Sequence, residues 1–187
     1  MIFCTACGGE TRSEIPVGDH RERRVCANCA HIHYENPKVI VSCLAHSGDK
    51  LVWVKRAEEP RRGFWVIPAG YLERDESLAQ GAARELIEET SLPVRHDSMA
   101  LYTLGTLRYT NEVYVVFRAE LESQTFQANH EVLEIGLFDE SSAPWGDLAY
   151  PVMESYIRRF YSELKEQKFS PYIGDFSEAG NVVWDIT

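Results

Sequence analysis

Four of the five cysteines of this 187-residue chain fall within its first 29 positions, as Cys4-x-x-Cys7 and Cys26-x-x-Cys29. A CxxC pair turns tightly enough to present two thiolates from one side, and two pairs complete a tetrahedral Zn²⁺ site. Gly8 and Gly9 follow the first pair, where a backbone turning back on a metal needs small residues. Two disulfides would use the same cysteines but need an oxidising compartment. Met1-Ile2-Phe3-Cys4 lacks the basic-then-apolar order of a secretory leader, so a cytoplasmic location and structural Zn²⁺ are expected. His31 and His33 lie nearby, but four cysteines already close the site. Cys43, inside the apolar run Val39–Leu44, reads as a buried strand residue.

A metal-held ribbon of about 35 residues buries little core, and its folding energy comes from the metal. Residues 1–38 carry five basic and five acidic side chains, so the segment is neutral. Its one small basic cluster, Arg21, Arg23 and Arg24, reads as a solvated face. The whole chain has 19 basic against 29 acidic residues, a net charge of −10 that suits nucleic acid poorly. No run approaches the roughly 20 apolar residues of a membrane span. Neither nucleic acid nor membrane is therefore expected as a partner. The ribbon is expected to be structural or to support a homodimer. A phosphate compound still suits an acidic chain where local cations or a divalent metal bridge the two.

Asn36-Pro37 marks a boundary, because the residue before proline is held extended. It divides the chain into residues 1–37 and 38–187, with a C-terminal tail from about 167. Residues 39–46 and 51–56 read as strands joined by the hairpin signal Ser47-Gly48-Asp49-Lys50. Further strands are expected at 64–68, 93–106, 113–121 and 132–138, and helices at 78–90 and 148–166. Leu148, Val152, Tyr156 and Phe160 form a stripe on the second helix. Beyond Ser170 no period is evident. This order predicts an α/β fold, a sheet between helices.

Residues 70–92 carry the chemistry. Ser77 with Gln80 three residues later is a capping box, so a helix begins near Leu78. At 100° per residue, Ala79, Ala82, Ala83, Leu86 and Ile87 gather on one face. Glu85, Glu88 and Glu89 share an arc opposite, with Gly81 one turn earlier leaving room for a ligand. Like charges so placed repel unless a counter-charge joins them. Arg84 lies at the edge of that arc. The arrangement is either a solvated acidic face or a site for a hard divalent cation, Mg²⁺ or Mn²⁺.

The full spacing, Gly70-x5-Glu76-x7-Arg84-Glu85-Leu86-x-Glu88-Glu89-x-Ser91-Leu92, resembles the Nudix box. Every defined position matches except Ser91, where the family has glycine. Phe3-Cys4-x-x-Cys7-Gly8-Gly9-Glu10, His33-Tyr34-x-Asn36-Pro37-Lys38-Val39, Lys55-Arg56-Ala57 and Pro68-Ala69-Gly70 resemble the branch in which a zinc ribbon precedes the Nudix domain. That resemblance implies an α/β/α sandwich with a mixed sheet. It further implies that Glu85, Glu88, Glu89 and the carbonyl of Ala69 hold Mg²⁺, and that Glu76 and Arg84 pair to orient the loop at Gly70. In many members the general base is a glutamate beyond the box. Glu131 and Glu134 are the candidates, and Glu134, placed ahead of an apolar strand, is preferred. Ser91 is expected to strain the backbone and leave metal ligation alone.

Substrate contacts are read from Lys55, Arg56, Arg61 and Arg62, four cations upstream of the box. Trp53, Phe64, Trp65, Tyr71 and Tyr102 are aromatics available to stack a base or fill the core. Arg56, Arg62 and Trp65 are the specific expectations. The implied reaction is Mg²⁺-dependent hydrolysis of a nucleoside diphosphate joined to a second moiety, of the ADP-ribose, FAD or NADH type. The Pro-Trp-Pro-Phe-Pro segment of NADH-specific members is absent, as is the proline beyond the box common in ADP-ribose members. The alternatives are a sanitising nucleoside triphosphate pyrophosphatase and a non-catalytic sensor or regulator.

Overall fold

In the computed structural model, which describes residues 3–177 and 180–185, the chain divides into two compact units, Met1–Pro37 and Lys38–Thr187. The first is a small antiparallel sheet of β1 (Thr11–Glu14), β2 (Arg23–Cys26) and β3 (Ile32–His33), in that order. Its buried residues among those described are Cys4, Val25 and Cys26. Three side chains cannot offset the ordering entropy of 37 residues, which leaves a metal to do so.

The second unit holds β4 (Lys38–Ser47), β5 (Lys50–Arg56), β6 (Trp65–Val66), β7 (Ala69–Tyr71), α1 (Leu78–Thr90), β8 (Ala100–Leu107), β9 (Glu112–Glu120), β10 (Val132–Phe138), α2 (Glu154–Glu166), β11 (Tyr172–Ser177) and β12 (Gly180–Asp185). The strands form one mixed sheet in the order β10-β5-β4-β9-β8-β11-β12, with β6 paired to β5 and β7 to β4. β4 runs parallel to β9, and β8 parallel to β11.

Side chains alternate across a strand, so the central strands feed two cores. Val41, Cys43 and Ala45 of β4 and Val52 of β5 pack with Ala82 and Leu86 of α1. Leu44, Leu51 and Trp53 face the other way, toward Tyr156, Ile157, Phe160, Tyr161 and Leu164 of α2. The result is the expected sheet between helices. The Ser77 capping box forms, with the Ser77 side chain accepting the Gln80 amide and the Gln80 side chain accepting the Ser77 amide, and α1 spans Leu78–Thr90.

Five expectations change. The strand expected from residue 93 begins at Ala100, after a 3₁₀ turn at His96–Ser98. The second helix begins at Glu154, because Pro151 holds Tyr150 extended and a 3₁₀ turn intervenes. Leu148 and Val152 therefore lie outside the helical stripe. β7 was not anticipated, and the tail without periodicity contains β11, which pairs with β8 far away in sequence. Ile87, expected on the buried face of α1, is exposed, while Glu89 and Thr90 are buried. No helix among the described residues is long and apolar enough to cross a membrane.

Candidate active site

The loop between β7 and α1 is held by one guanidinium. Arg84 Nε donates to Glu76 Oε2 at 3.0 Å and Nη2 to Glu76 Oε1 at 2.8 Å, a two-pronged pair. The same side chain reaches the Tyr71 carbonyl at 3.1 Å, Glu85 Oε1 at 2.7 Å and Glu88 Oε2 at 3.0 Å. Arg84 is thus the counter-charge that the acidic arc requires. Its hydrogen bond to Glu76 is the largest influence holding the Glu76 carboxyl below its usual range.

The three box carboxylates differ in setting. Glu88 is exposed, Glu85 is partly buried and Glu89 is buried. Burial lifts Glu85 despite its bond to Arg84, and the charge of Glu131 lifts it further. Burial, then the nearby Glu85 charge, pushes Glu89 up to about 8, although the Ala69 amide donates to it. Glu89 Oε2 has no hydrogen-bond partner within the protein. A buried oxygen left bare is costly, and a cation is the partner that would satisfy it. Glu85, Glu88, Glu89 and the peptide at Ala69 offer only oxygen to such an ion, which fits Mg²⁺ or Mn²⁺. A Cβ on Gly70 would collide with the Glu85 carboxylate, so only glycine lets β7 approach α1 there.

Ala69 and Gly70 also wall a cleft of about 500 Å³. Arg56, Tyr71, Glu112, Tyr114, Tyr150 and Tyr156 are among its polar lining. The cleft adjoins the carboxylates because β7 contributes to both.

In the first unit the Sγ atoms of Cys4, Cys7, Cys26 and Cys29 all lie within 4.8 Å of one another. Cys4 faces Cys29 at 3.8 Å and Cys7 faces Cys26 at 3.5 Å. Backbone amides of Asn28 and Cys29 point at Cys26 Sγ, at 3.4 and 3.5 Å, as thiolate acceptors require. The four sulfurs fit Zn²⁺. His31 and His33 stack edge to face on each other and are not part of this group.

A family model for the NUDIX domain matches residues 36–162. The chain belongs to the Nudix family. A second model, the zinc ribbon described as Nudix N-terminal, matches residues 3–35. A crystal structure of a NUDIX hydrolase from Nitrosomonas europaea is 40% identical and superposes with a TM-score of 0.87, over 94% of this chain and 98% of that one. The NAD-capped RNA hydrolase NudC of Vibrio vulnificus is 31% identical over 170 residues, 87% of this chain and 62% of that protein. NudC of Photobacterium profundum is 25% identical over 154 residues, 79% of this chain and 54% of its own length. The chain thus spans a little over half the length of these two curated relatives.

Within this Nudix domain the sequence-expected residues fall into two groups. Gly70, Glu76, Arg84, Glu85, Glu88, Glu89 and Ala69 come together. Glu131 lies just ahead of β10, with Oε1 3.7 Å from His130 Nε2 and its carbonyl accepting the Ala57 amide, and its charge adds to the upward shift of Glu85 and Glu89. Glu134, the preferred base, is instead the cross-strand partner of Lys55, with its Oε2 3.5 Å from Lys55 Nζ. Arg56 lines the cleft, but Arg62 and Trp65 do not. Trp65 is a core residue packed edge to face on Phe138. Gly81 makes no ligand space. A Cβ there would meet Glu76 Oε1 at 2.7 Å and Val41 Cγ2 at 3.1 Å, so the glycine admits the Glu76 side chain. Of the five candidate aromatics only Tyr71 reaches the cleft. Glu112 and Tyr150 were missed; neither belongs to a local pattern.

Proposed function

We propose that this Nudix protein is a Mg²⁺- or Mn²⁺-dependent pyrophosphohydrolase acting on a nucleoside diphosphate joined to a second moiety, with Zn²⁺ structural in its ribbon. The observation that carries the reading is the buried, half-unpartnered Glu89 beside Glu85, behind the Ala69–Gly70 wall of a cleft large enough for a nucleotide. A divalent cation at these oxygens would neutralise the diphosphate and acidify the attacking water. Glu85 and Glu89 hold the ion, with Glu88 completing the set. Arg84 keeps Glu85 and the Tyr71 carbonyl in register. Glu131 receives the water's proton in this reading, because its charge reaches the carboxylates whereas Glu134 is engaged by Lys55. Arg56 supplies positive charge at the cleft wall.

The net charge of −10 and the neutral ribbon argue for a small substrate. The NudC relatives favour a second reading, in which the same dinucleotide diphosphate is the cap of an RNA. The diphosphate chemistry is common to both. An intact carboxylate set argues against a non-catalytic sensor.

The test is kcat/KM across ADP-ribose, FAD, NADH, an NAD-capped oligoribonucleotide, dATP and dGTP. Diphosphate-linked substrates are expected to lead, and a tenfold preference for a triphosphate overturns the reading. Glu89→Gln keeps shape and removes one anionic ligand. It is expected to lose at least a hundredfold in kcat, about 2.7 kcal/mol, with the fold intact by circular dichroism.

A further inference from the structure

The cleft is short of positive charge for a phosphate-binding surface. Arg56 is its one cation among the described lining residues, and Glu59 and Glu112 add two carboxylates to walls otherwise built of tyrosines, Thr110 and apolar groups. A long anionic tail gains little there.

Glu112 opens β9 and is partly buried, and its Oε1 accepts the Tyr71 hydroxyl at 2.9 Å. Tyr71 is itself fixed from three sides. Its backbone pairs with Ile40 in β4, its carbonyl accepts Arg84 Nη2, and the Lys38 ammonium sits 5.0 Å from its ring centre. Lys38 is also the register partner of Glu112 across the β4–β9 ladder. A chain of contacts therefore runs from the carboxylate helix through Tyr71 to Glu112. An ionised carboxylate only accepts hydrogen bonds and has about four lone-pair sites. Tyr71 uses one, and Glu112, a lining residue of the cleft, has others left to accept a hydrogen from a ligand there.

Resting on the diphosphate reading above, the geometry points to Glu112, steered by Tyr71, as a specificity-determining residue that accepts hydroxyl or amino hydrogens from the uncharged nucleoside or sugar of the substrate and disfavours a polyphosphate tail. A site built around an acceptor rejects an analogue without the donor strongly, because its own polar group is then left unpaired. The donor chemistry is shared by a base amine and a ribose hydroxyl, and the analogues below separate them.

The experiment measures KM and kcat of the full-length protein, Glu112→Gln and Tyr71→Phe, on ADP-ribose, its hypoxanthine and 2′-deoxy analogues, and ATP. Glu112→Gln is expected to raise KM for ADP-ribose at least tenfold with kcat within twofold, and to narrow the preference over ATP at least tenfold. Tyr71→Phe is expected to move KM the same way by a smaller factor. If the hypoxanthine analogue already shows the raised KM in the wild type, the donor is the base amine; if the deoxy analogue does, it is the sugar hydroxyl. An unchanged KM and selectivity in Glu112→Gln overturns the inference, as does a fall in kcat alone. A wild type that prefers ADP-ribose while Glu112→Gln keeps that preference sinks only this inference. A wild type that cleaves ATP and no diphosphate-linked substrate sinks the underlying reading, and this one with it.

Discussion

Arg84 grips Glu76 with two nitrogens, Nε and Nη2, at 3.0 and 2.8 Å, across the eight residues that separate the loop from the middle of α1. Both side chains are partly buried, so the pair is shielded from solvent more than an ordinary surface bridge. The fork matters because the remaining donors of Arg84 go to Glu85, Glu88 and the Tyr71 carbonyl. A lysine is a point charge and cannot make this set of bonds. Arg84→Lys is expected to lower unfolding free energy by about 1.5–3 kcal/mol, the range for charge-assisted bonds, and to reduce kcat more than it raises KM. Denaturant unfolding and steady-state kinetics check both. A variant with wild-type kcat would show that the fork does not position the carboxylates.

Ser91 is the one departure from the box, and the structure shows its consequence. It caps α1 in the left-handed region, at φ 59° and ψ 13°, where glycine is free of Cβ strain. Its amide still bonds to the Ile87 carbonyl, and its hydroxyl reaches the Gln127 carbonyl at 3.3 Å, which offsets part of the cost. Ser91→Gly is expected to raise stability by about 0.5–1 kcal/mol, or roughly 1–4 °C in Tm for a chain of this size, with kcat unchanged. A lower Tm would mean that the Gln127 contact outweighs the strain.

What the sequence revealed was local. The capping box, the bounds of α1 and the hairpin at Ser47–Lys50 are set within a few residues, and each formed where expected. The carboxylate segment was legible because its spacing is fixed by one helix and one loop. The cleft was not, because its walls come from segments around residues 56–60, 69–71, 107–114 and 150–156 that meet only after the sheet is assembled. Glu112 carries no local signal, and Trp65 and Tyr71 look alike as aromatics until burial separates them. That Glu134 faces Lys55 on the neighbouring strand could not be read from the sequence, because the β10–β5 register is long-range. β11 was invisible for the same reason, since its pairing with β8 is long-range and parallel.

The ribbon's dependence on metal is tested by its cysteines. Its few buried residues cannot hold it together alone. Protein purified without added zinc is expected to carry one Zn²⁺ per chain by elemental analysis. Cys26→Ser is expected to lose that ion and to lose amide exchange protection across residues 3–37. Trp53, Trp65 and Trp145 all belong to the second unit, so their fluorescence reports the unfolding of that unit. That transition is expected to shift little. Full protection of residues 3–37 in the zinc-free variant would contradict a metal-held ribbon.

His46 gives the catalytic unit an acid sensitivity of its own. It is buried on β4 against Phe160 and Phe169, and its Nδ1 has no hydrogen-bond partner within the protein. Burial pulls its pKa below 6.5; the Glu120 charge and a backbone hydrogen bond at Gly48 oppose this, and Arg118 adds to it. A group that binds its proton less readily when folded than when unfolded favours the unfolded chain as pH drops. Its neutral form therefore gives full stability above about pH 6.5, and that stability is lost as pH falls from there toward the depressed folded value. Carboxylates titrate over part of the same range, so the informative quantity is the difference between wild type and His46→Gln. Denaturant midpoints followed by tryptophan fluorescence at pH 7.5, 6.5, 5.5 and 5.0 are expected to fall more steeply for the wild type below pH 6.5. Parallel curves would mean that His46 accepts a proton in the folded protein as readily as in the unfolded chain.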